Sequence, residues 1–180
     1  WSYGTSYSIF GISSMMGATG TMCGFENAPG FRESFYFINA VGSSSLGTWN
    51  YHDAGVGMPD TAYYFWFAYQ TGDASIGALR YNAINNAKYT PELWDLMWYD
   101  AANIADSVTL KLDYAYYGID TVTFRSDWTD DALFCGIHGG ENEAPHGNLD
   151  IGNFIVEYGG TRFFNDLGSD EYNLAGYNGK

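Results

Sequence analysis

The stretch that decides the fold reads Gly139-Gly140-Glu141-Asn142-Glu143-Ala144-Pro145-His146-Gly147-Asn148-Leu149-Asp150, and an apolar segment, Ile151 to Tyr158, follows it at once. Its twelve residues hold one histidine, three carboxylates and two asparagines, with three glycines and a proline among them. Because Gly and Pro favour an irregular loop and the apolar segment favours a strand, the pattern predicts a polar loop beside a sheet. Rigid sheets commonly present functional residues on such loops. An acidic surface loop without a function is the alternative that composition leaves open.

Strands dominate the sequence after about Asp100. Apolar residues there alternate with polar ones: Val108, Leu110 and Leu112, then Val122 and Phe124, and later Phe154 and Val156. This alternation is typical of half-buried strands. Two further segments, Leu133 to Ile137 and Thr161 to Phe164, complete a run of about five short strands separated by turn residues.

The sequence before Asp100 favours helices. The predicted helices are Trp1 to Ala18 with a stop at Gly20, Phe31 to Val41, Tyr63 to Tyr69 after a cap at Asp60, Ala74 to Ala87 after a cap at Asp73, and Leu93 to Trp98, started by Thr90-Pro91-Glu92. The helix Tyr63 to Tyr69 is apolar nearly all round, so we expect it to be buried among other helices. Helices first and strands afterwards predict an α+β protein with two segregated parts, residues 1–100 and residues 101–180.

The composition excludes several classes of protein. With 180 residues, of which 46% are hydrophobic and 19% aromatic, the chain can bury a real core and is not a disordered segment. Its many Tyr and Trp residues can fill that core or form stacking surfaces for sugars. The net charge of −14 argues against a protein that tracks nucleic-acid phosphates, because such a protein needs a basic patch.

Three further features concern location and chain ends. No run of about eighteen apolar residues is present, so no membrane span is predicted. Since Trp1 is not an initiator Met, we expect the natural amino terminus to lie upstream. Cys23 and Cys135 lie far apart and form no metal-ligand spacing, which leaves the redox compartment open.

A series of motifs follows in the second half of the chain: Thr123-Phe124-Arg125-Ser126-Asp127-Trp128, Ala132-Leu133-Phe134, Gly139-Gly140-Glu141-Asn142, His146-Gly147-Asn148-Leu149-Asp150-Ile151-Gly152-Asn153-Phe154, Asn165-Asp166-Leu167-Gly168 and Asp170-Glu171-Tyr172-Asn173-Leu174. This series resembles the heparinase II/III-like family of polysaccharide lyases. The segment Trp1-Ser2-Tyr3-Gly4-Thr5-Ser6-Tyr7 is similar to the Tyr-rich helix of that family's catalytic toroid. The resemblance implies the last helices of a partial (α/α) toroid in residues 1–100 and the N-terminal part of an antiparallel β-sandwich in residues 101–180. It also implies that the chain is an internal fragment of a larger protein.

The resemblance further implies a catalytic site at the polar loop. The family pattern there is His-x-His-Leu-Asp, and His146 matches the first His, which takes part in proton transfer. The second His, a zinc ligand, falls on Asn148, and Asp166 matches the Asp ligand of that zinc. The remaining His ligand would lie beyond Lys180. Zinc is therefore a possible cofactor, but Asn148 replaces one expected ligand, and zinc prefers His nitrogen, thiolate or carboxylate to an amide oxygen.

Lyases of this family abstract the C5 proton of a uronate and expel the C4 oxygen, and a Tyr facing a His suits that chemistry. The candidates on the toroid side are Tyr3 and Tyr7. Both lie on one predicted helix face, so packing in a core is an equally good interpretation of them. The Asn and His that neutralise the substrate carboxylate in relatives would lie upstream of Trp1.

Substrate-binding candidates are Asn50, His52 and Asn142. The first two belong to the cluster Asn50-Tyr51-His52-Asp53, which could line a cleft or form an Asx-type turn. Asp166 could likewise be a turn former. The remaining polar candidates are interpreted as bystanders: Glu141 and Glu143 as solvated loop carboxylates, and His138 as a structural or solvent-facing residue at a strand end.

The function predicted from the sequence is that of a polysaccharide lyase acting on a uronate-containing glycan by β-elimination. The alternative is a non-catalytic glycan-binding protein on the same scaffold, which the change at Asn148 favours, and a purely structural sandwich module is a third. The acidity of the chain favours a weakly charged glycan or a short oligosaccharide over a heavily sulfated polymer. The resemblance implies a periplasmic or secreted protein.

Overall fold

The computed structural model describes residues 1–43, 46–57, 61–86, 89–171 and 173–176. The chain divides into two compact units. The helical unit comprises Trp1–Ile38 and Pro59–Leu110, and the sheet unit comprises Asn39–Met58 and Lys111–Lys180. No helix within the described ranges is long and apolar enough to cross a membrane. The predicted cap at Asp60 lies outside the described residues.

Helices form where the sequence predicts them, with shifted ends. In the described ranges, these are α1 (Ser2–Thr19), α2 (Ser34–Ala40), α3 (Tyr64–Thr71), α4 (Ala74–Asn85) and α5 (Leu93–Trp98), with short 3-10 turns at Phe25–Asn27 and Ala101–Asn103. Helix α3 buries Tyr64, Phe65, Trp66, Phe67 and Ala68, which confirms that it is enclosed.

Capping explains two of the helix ends. Helix α1 ends where Gly20 adopts a left-handed conformation (φ 74°) and donates its N–H to the Met16 carbonyl oxygen. Helix α5 begins with a capping box, in which the side chain of Asp95 accepts a hydrogen bond of 2.8 Å from the N–H of Glu92. Within the predicted start signal Thr90-Pro91-Glu92, the cap position thus belongs to Glu92 and not to the Thr90 hydroxyl.

A buried ion pair joins α4 to α5. Arg80 is fully buried and donates from Nε and Nη2 to the two carboxylate oxygens of Asp95, at 2.8 and 2.6 Å. This bidentate geometry is the strongest arrangement available to an arginine and a carboxylate. Asp95 thus both caps α5 and ties it to the preceding helix.

The sheet unit contains a five-stranded antiparallel sheet in which neighbouring strands are also neighbours in the chain. Its described strands are β3 (Tyr114–Tyr116), β4 (Thr121–Arg125), β5 (Phe134–His138), β6 (Phe154–Tyr158) and β7 (Thr161–Phe164), after a short pair formed by β1 (Gly42–Ser43) and β2 (Gly47–Thr48). The predicted α+β organisation, with a run of five short strands after the helices, is confirmed. The strand predicted at Val108 to Leu112 is wrong, since the first strand of the sheet begins at Tyr114.

One face of this sheet is covered by the segment around Trp49, which lies well before the first strand of the sheet in the chain. Trp49 packs with Phe134 and Ile155 in the buried core, and Tyr51 lies against them. A side chain at Gly136 would place its Cβ 2.6 Å from the Trp49 ring, so only glycine lets the ring approach the strand. This contact places the residues that follow Trp49 over the ends of the strands.

Alternation predicts that the apolar side chains of a strand face the core and the polar ones face solvent. In this sheet the arrangement is partly reversed. On the covered face, Thr121, Thr123 and Arg125 of β4 are buried, whereas the apolar Phe124 between them is exposed. Exposed apolar side chains continue across the other face: Ile137, Phe154 and Phe164. The polar residues of the strands therefore lie in the interior of the unit, where they are available to build a site.

Candidate functional site

The polar loop of residues 139–150 is joined to the segment that follows Trp49. The Asp150 carboxylate accepts two hydrogen bonds from His52, one from the backbone N–H at 2.6 Å and one from Nδ1 at 2.8 Å. His52 has a positive φ of 58°, a conformation that is uncommon outside glycine and often marks a functional position. Burial alone would raise the pKa of Asp150, but the hydrogen bonds and charge of His52 outweigh it, so that pKa is lowered.

His146 forms a second histidine–carboxylate pair at the tip of the same loop. Its Nδ1 lies 2.5 Å from Oδ2 of Asp53, and because a carboxylate only accepts, the ring donates through Nδ1–H. The His146 side chain is 71% exposed and its φ is 67°. Its other ring nitrogen, Nε2, therefore points away from Asp53.

Asn148 closes the loop rather than facing the acids. Its Nδ2 donates a hydrogen bond of 2.7 Å to the backbone carbonyl oxygen of His52, and the residue is exposed. Three residues of this loop, His146, Asn148 and Asp150, therefore contact residues 52 and 53 through their side chains. The two segments are thus held in register by polar contacts.

His138 lies at the buried end of β5, beneath this junction. The Tyr51 ring stacks on it with centroids 4.5 Å apart, and the His52 ring meets it edge-on at 4.6 Å. Thr121 Oγ1 lies 3.2 Å from His138 Nδ1. Burial and the neighbouring His52 lower the pKa of His138, so its ring is neutral at neutral pH.

The protonation of His138 follows from its neighbour. When the Thr121 hydroxyl donates to the Ile119 carbonyl oxygen at 3.2 Å or to the Tyr51 hydroxyl oxygen at 3.4 Å, Oγ1 accepts from Nδ1–H of His138. Nε2 of His138 then carries the lone pair. That atom is buried and has no hydrogen-bond partner among the described residues.

Asp166 is a buried carboxylate near the same histidines. It is 6% exposed, and its Oδ1 accepts a 2.6 Å hydrogen bond from the Gly168 N–H, as in the turn that the sequence left open. Its Oδ2 is buried and has no hydrogen-bond partner in the described ranges. Burial raises the pKa of Asp166, and the charge of Asp150 adds to this effect.

The other predicted site residues have varied surroundings. Asn50 is buried, and its amide contacts the Asp166 carbonyl oxygen and the Arg162 guanidinium, both at 3.4 Å. Asn142 is exposed, and its Oδ1 accepts from the Ile151 N–H at 3.4 Å.

Tyr3 and Tyr7 belong to the helical unit, on helix α1. They are 76% and 61% exposed, with ring centroids 4.7 Å apart, so neither packs in a core. Their shared exposure leaves both hydroxyl groups available to a ligand.

Four residues of this site were not predicted from the sequence as functional residues. His138 was interpreted as structural or solvent-facing, and Tyr51, Asp53 and Asp150 received no role of their own. The available signal was their neighbourhood: three of the four belong to polar runs that also contain a predicted residue, namely Tyr51, Asp53 and Asp150. No local pattern indicates that β5 brings His138 beneath both runs.

The zinc ligands implied by the family resemblance do not fit this arrangement. Asn148 is exposed and uses its amide nitrogen to hold the His52 carbonyl group, while Asp166 is buried. One carboxylate and one neutral amide are a poor ligand set for zinc. We therefore assign no step of a reaction to a metal held by these two residues.

The fold is similar to part of two solved lyases, although no protein-family model and no curated protein matches the chain. A mutant of the heparan sulfate lyase HepC from Pedobacter heparinus matches with a TM-score of 0.50 and 17% identity, over 80% of this chain and 20% of that one. A heparinase III gene product matches with a TM-score of 0.51 and 15% identity, over 81% of this chain and 20% of that one. The chain spans about a fifth of the length of these proteins, and the likeness at such identities concerns the fold.

Proposed function

We propose that this chain is part of a polysaccharide lyase that cleaves a uronate-containing glycan by β-elimination. The observation that carries the proposal is the His146–Asp53 pair, an exposed imidazole held by a carboxylate at 2.5 Å on a loop with a positive φ. The fold likeness to heparan sulfate lyases supports the same reaction class. The sequence resemblance to the heparinase II/III-like family favours this chemistry as well.

The pair has the properties that proton transfer requires. In β-elimination, a base removes the weakly acidic C5 proton next to the substrate carboxylate, and an acid protonates the departing C4 oxygen. Asp53 fixes the ring of His146 in the tautomer that leaves Nε2 free, and it stabilises the imidazolium when the ring takes a proton. His146 can therefore serve as the base or the acid of this reaction.

The partner in proton transfer is proposed to be Tyr3 or Tyr7. Both hydroxyl groups are exposed, and a tyrosine can deliver a proton to a leaving oxygen or remove one when its phenolate form is stabilised. The two rings lie side by side on α1, so the same helix face could also form a stacking surface for a sugar ring.

The toroid and the β-sandwich belong to the same proposal. The sheet exposes a row of apolar side chains on one face: Phe124, Ile137, Phe154 and Phe164. Contiguous apolar patches of this kind are typical of surfaces that another layer covers, and in a sandwich that layer is a second sheet. We likewise interpret the helices as part of an (α/α) toroid.

The substrate is proposed to carry few charges besides its uronates. A surface with a net charge of −14 repels a heavily sulfated polymer. Asn50, His52 and Asn142 remain the proposed contacts to substrate, although Asn50 is buried and would act through its neighbours. A periplasmic or secreted location, which the family resemblance implies, is part of the proposal.

A glycan-binding protein without catalysis is the second candidate. A cleft of about 540 Å³ within the helical unit favours it, because aromatic rings supply much of its lining: Trp66, Tyr69, Trp98 and Tyr99. Such rings bind sugar faces by stacking without any chemistry. This candidate needs no role for His146.

The experiment is a lyase assay on the full-length protein with a panel of uronic polysaccharides, followed by the ultraviolet absorbance of the unsaturated product. We expect His146→Ala to lower kcat by about 100- to 10,000-fold, the usual contribution of a general acid or base. Asp53→Asn should lower kcat as well, because the ring loses its orientation. Glu143→Gln, in the same loop and exposed, is the matched control and should leave kcat unchanged.

Two results would decide against the proposal. Glycan binding without product from any substrate would establish the binding protein instead. Product formation that persists at the same rate in His146→Ala would show that the reaction class is right and the assigned residue wrong.

A further inference from the structure

We propose that His52, His138 and Asp150 bind a divalent transition metal of the zinc class. One nitrogen of each histidine and one oxygen of Asp150 lie within 4.8 Å of one another. The three residues come from three separate parts of the chain, so only folding brings them together. Two imidazoles and a carboxylate are the ligand types that zinc prefers, and three protein ligands leave a fourth position open.

The strongest support comes from buried polar atoms. Nε2 of His138 and Oδ2 of Asp166 are both without a hydrogen-bond partner in the described ranges, on side chains that are 3% and 6% exposed. An unsatisfied buried polar group costs roughly 1–3 kcal/mol, so two of them in the sheet unit need an explanation. A cation between the histidines would engage the Nε2 lone pair directly and would satisfy the charge of Asp166.

The neighbouring groups resemble the supporting partners of known metal sites. Metal-binding histidines almost always donate their second ring nitrogen to a carboxylate or an oxygen, which fixes the tautomer. Here Nδ1 of His138 lies 3.2 Å from the Thr121 hydroxyl oxygen, which leaves Nε2 for the metal. Asp150, whose Oδ1 lies 2.8 Å from Nδ1 of His52, is itself a proposed ligand, and a metal would replace the proton between these two atoms. The Tyr51 ring, stacked on His138, excludes water from one side.

The distances fit a metal after a small adjustment. Ligands of a tetrahedral zinc at about 2.1 Å lie about 3.4 Å apart, so the 4.8 Å cluster must contract by roughly 1.4 Å. Side-chain rotation of His52, which is partly exposed, can supply this movement. Asp166 lies outside the 4.8 Å cluster and would contribute negative charge rather than a fourth ligand.

This ligand set differs from the one that the family resemblance implies. It contains neither Asn148 nor a residue beyond Lys180, and it recruits His138, to which the sequence assigned no chemistry. The competing explanation is a metal-free His52–Asp150 ion pair, which accounts for those two residues and leaves Nε2 of His138 unexplained. Metal binding can be measured without turnover, so its failure and the failure of the lyase assay are distinguishable.

The test is calorimetric titration of zinc into the full chain after treatment with a chelator. We expect one zinc per chain, weaker binding at lower pH because histidines must be neutral to coordinate, and a tetrahedral ligand-field spectrum when cobalt(II) replaces zinc. His52→Gln and Asp150→Asn should each weaken zinc binding by at least about 100-fold, since even supporting residues of metal sites contribute 10- to 100-fold. His146→Gln is the matched control and should bind zinc like the wild type, because it removes the one histidine outside the cluster.

Circular dichroism of each variant establishes whether it is folded. The near-isosteric Asp150→Asn keeps the test valid if His52→Gln does not fold. The proposal is overturned if the wild-type protein binds neither zinc nor cobalt(II). It is also overturned if folded His52→Gln and Asp150→Asn bind zinc as tightly as the wild type, or if His146→Gln abolishes binding.

Discussion

Arg125 anchors the segment that carries His52 and Asp53, and its replacement should destabilise the sheet unit. Nη2 of Arg125 donates to the carbonyl oxygens of Ala40 at 2.7 Å and Gly42 at 3.0 Å, both in buried backbone. The guanidinium also lies over the Trp128 ring, 3.7 Å from its centroid. Burial lowers the pKa of Arg125 to about 10, which leaves it charged at neutral pH.

The expected magnitude follows from these contacts. Hydrogen bonds from a charged donor contribute about 1.5–3 kcal/mol each, so the two shorter bonds amount to about 3–6 kcal/mol. Arg125→Met keeps the apolar stem and removes the cost of burying a charge, so we expect a net loss near the lower end, about 3 kcal/mol. Arg125→Lys keeps the charge but cannot lie flat on Trp128, and its loss should be intermediate.

The assay is urea unfolding followed by tryptophan fluorescence, because Trp49 is fully buried in the same unit, with circular dichroism as a second probe. Arg32→Met is the control: Arg32 is half exposed and 3.5 Å from Asp73, a surface pair worth about 0–1 kcal/mol. The reasoning is refuted if Arg125→Met unfolds within about 1 kcal/mol of the wild type, a difference no larger than that of the control.

Two further predictions concern other buried groups. Asp95→Ala should lower the free energy of unfolding in urea by about 3–5 kcal/mol, because it leaves Arg80 buried without its carboxylate. The double variant Arg80→Met/Asp95→Leu should recover much of this loss. Equal losses in the single and the double variant would contradict the prediction. Since the pKa of His138 is lowered in the folded state, the unfolded chain binds that proton more readily, and stability in the presence of a chelator should fall as pH drops below about 6.5 toward the lowered pKa. His138→Gln should flatten that part of the pH profile of the unfolding free energy, and an unchanged slope would show that another group is responsible.

The sequence predicts the candidate site only in part. His146 was selected because it stands in a Gly-flanked loop, and His52 because it belongs to a polar cluster. The structure brings these two runs together. Asp53 and Asp150 belong to the same runs, yet nothing in either run indicates which carboxylate pairs with which histidine. That pairing joins residues 93 and 98 positions apart, and no periodicity extends over such a distance.

Local chemistry determined the secondary structure and the broad class of this protein. Apolar spacing at helical and strand periods, with Gly and capping carboxylates at the ends, was sufficient for an α+β chain with five short strands, because those preferences act within a few residues. Tertiary packing decided the rest. The absence of a side chain at Gly136 lets Trp49 lie on the sheet, and this contact helps to bring His52 to His138 and Asp150. The stretch at 139–150 contains the groups of a site, but only the segment that packs on β5 supplies their partners.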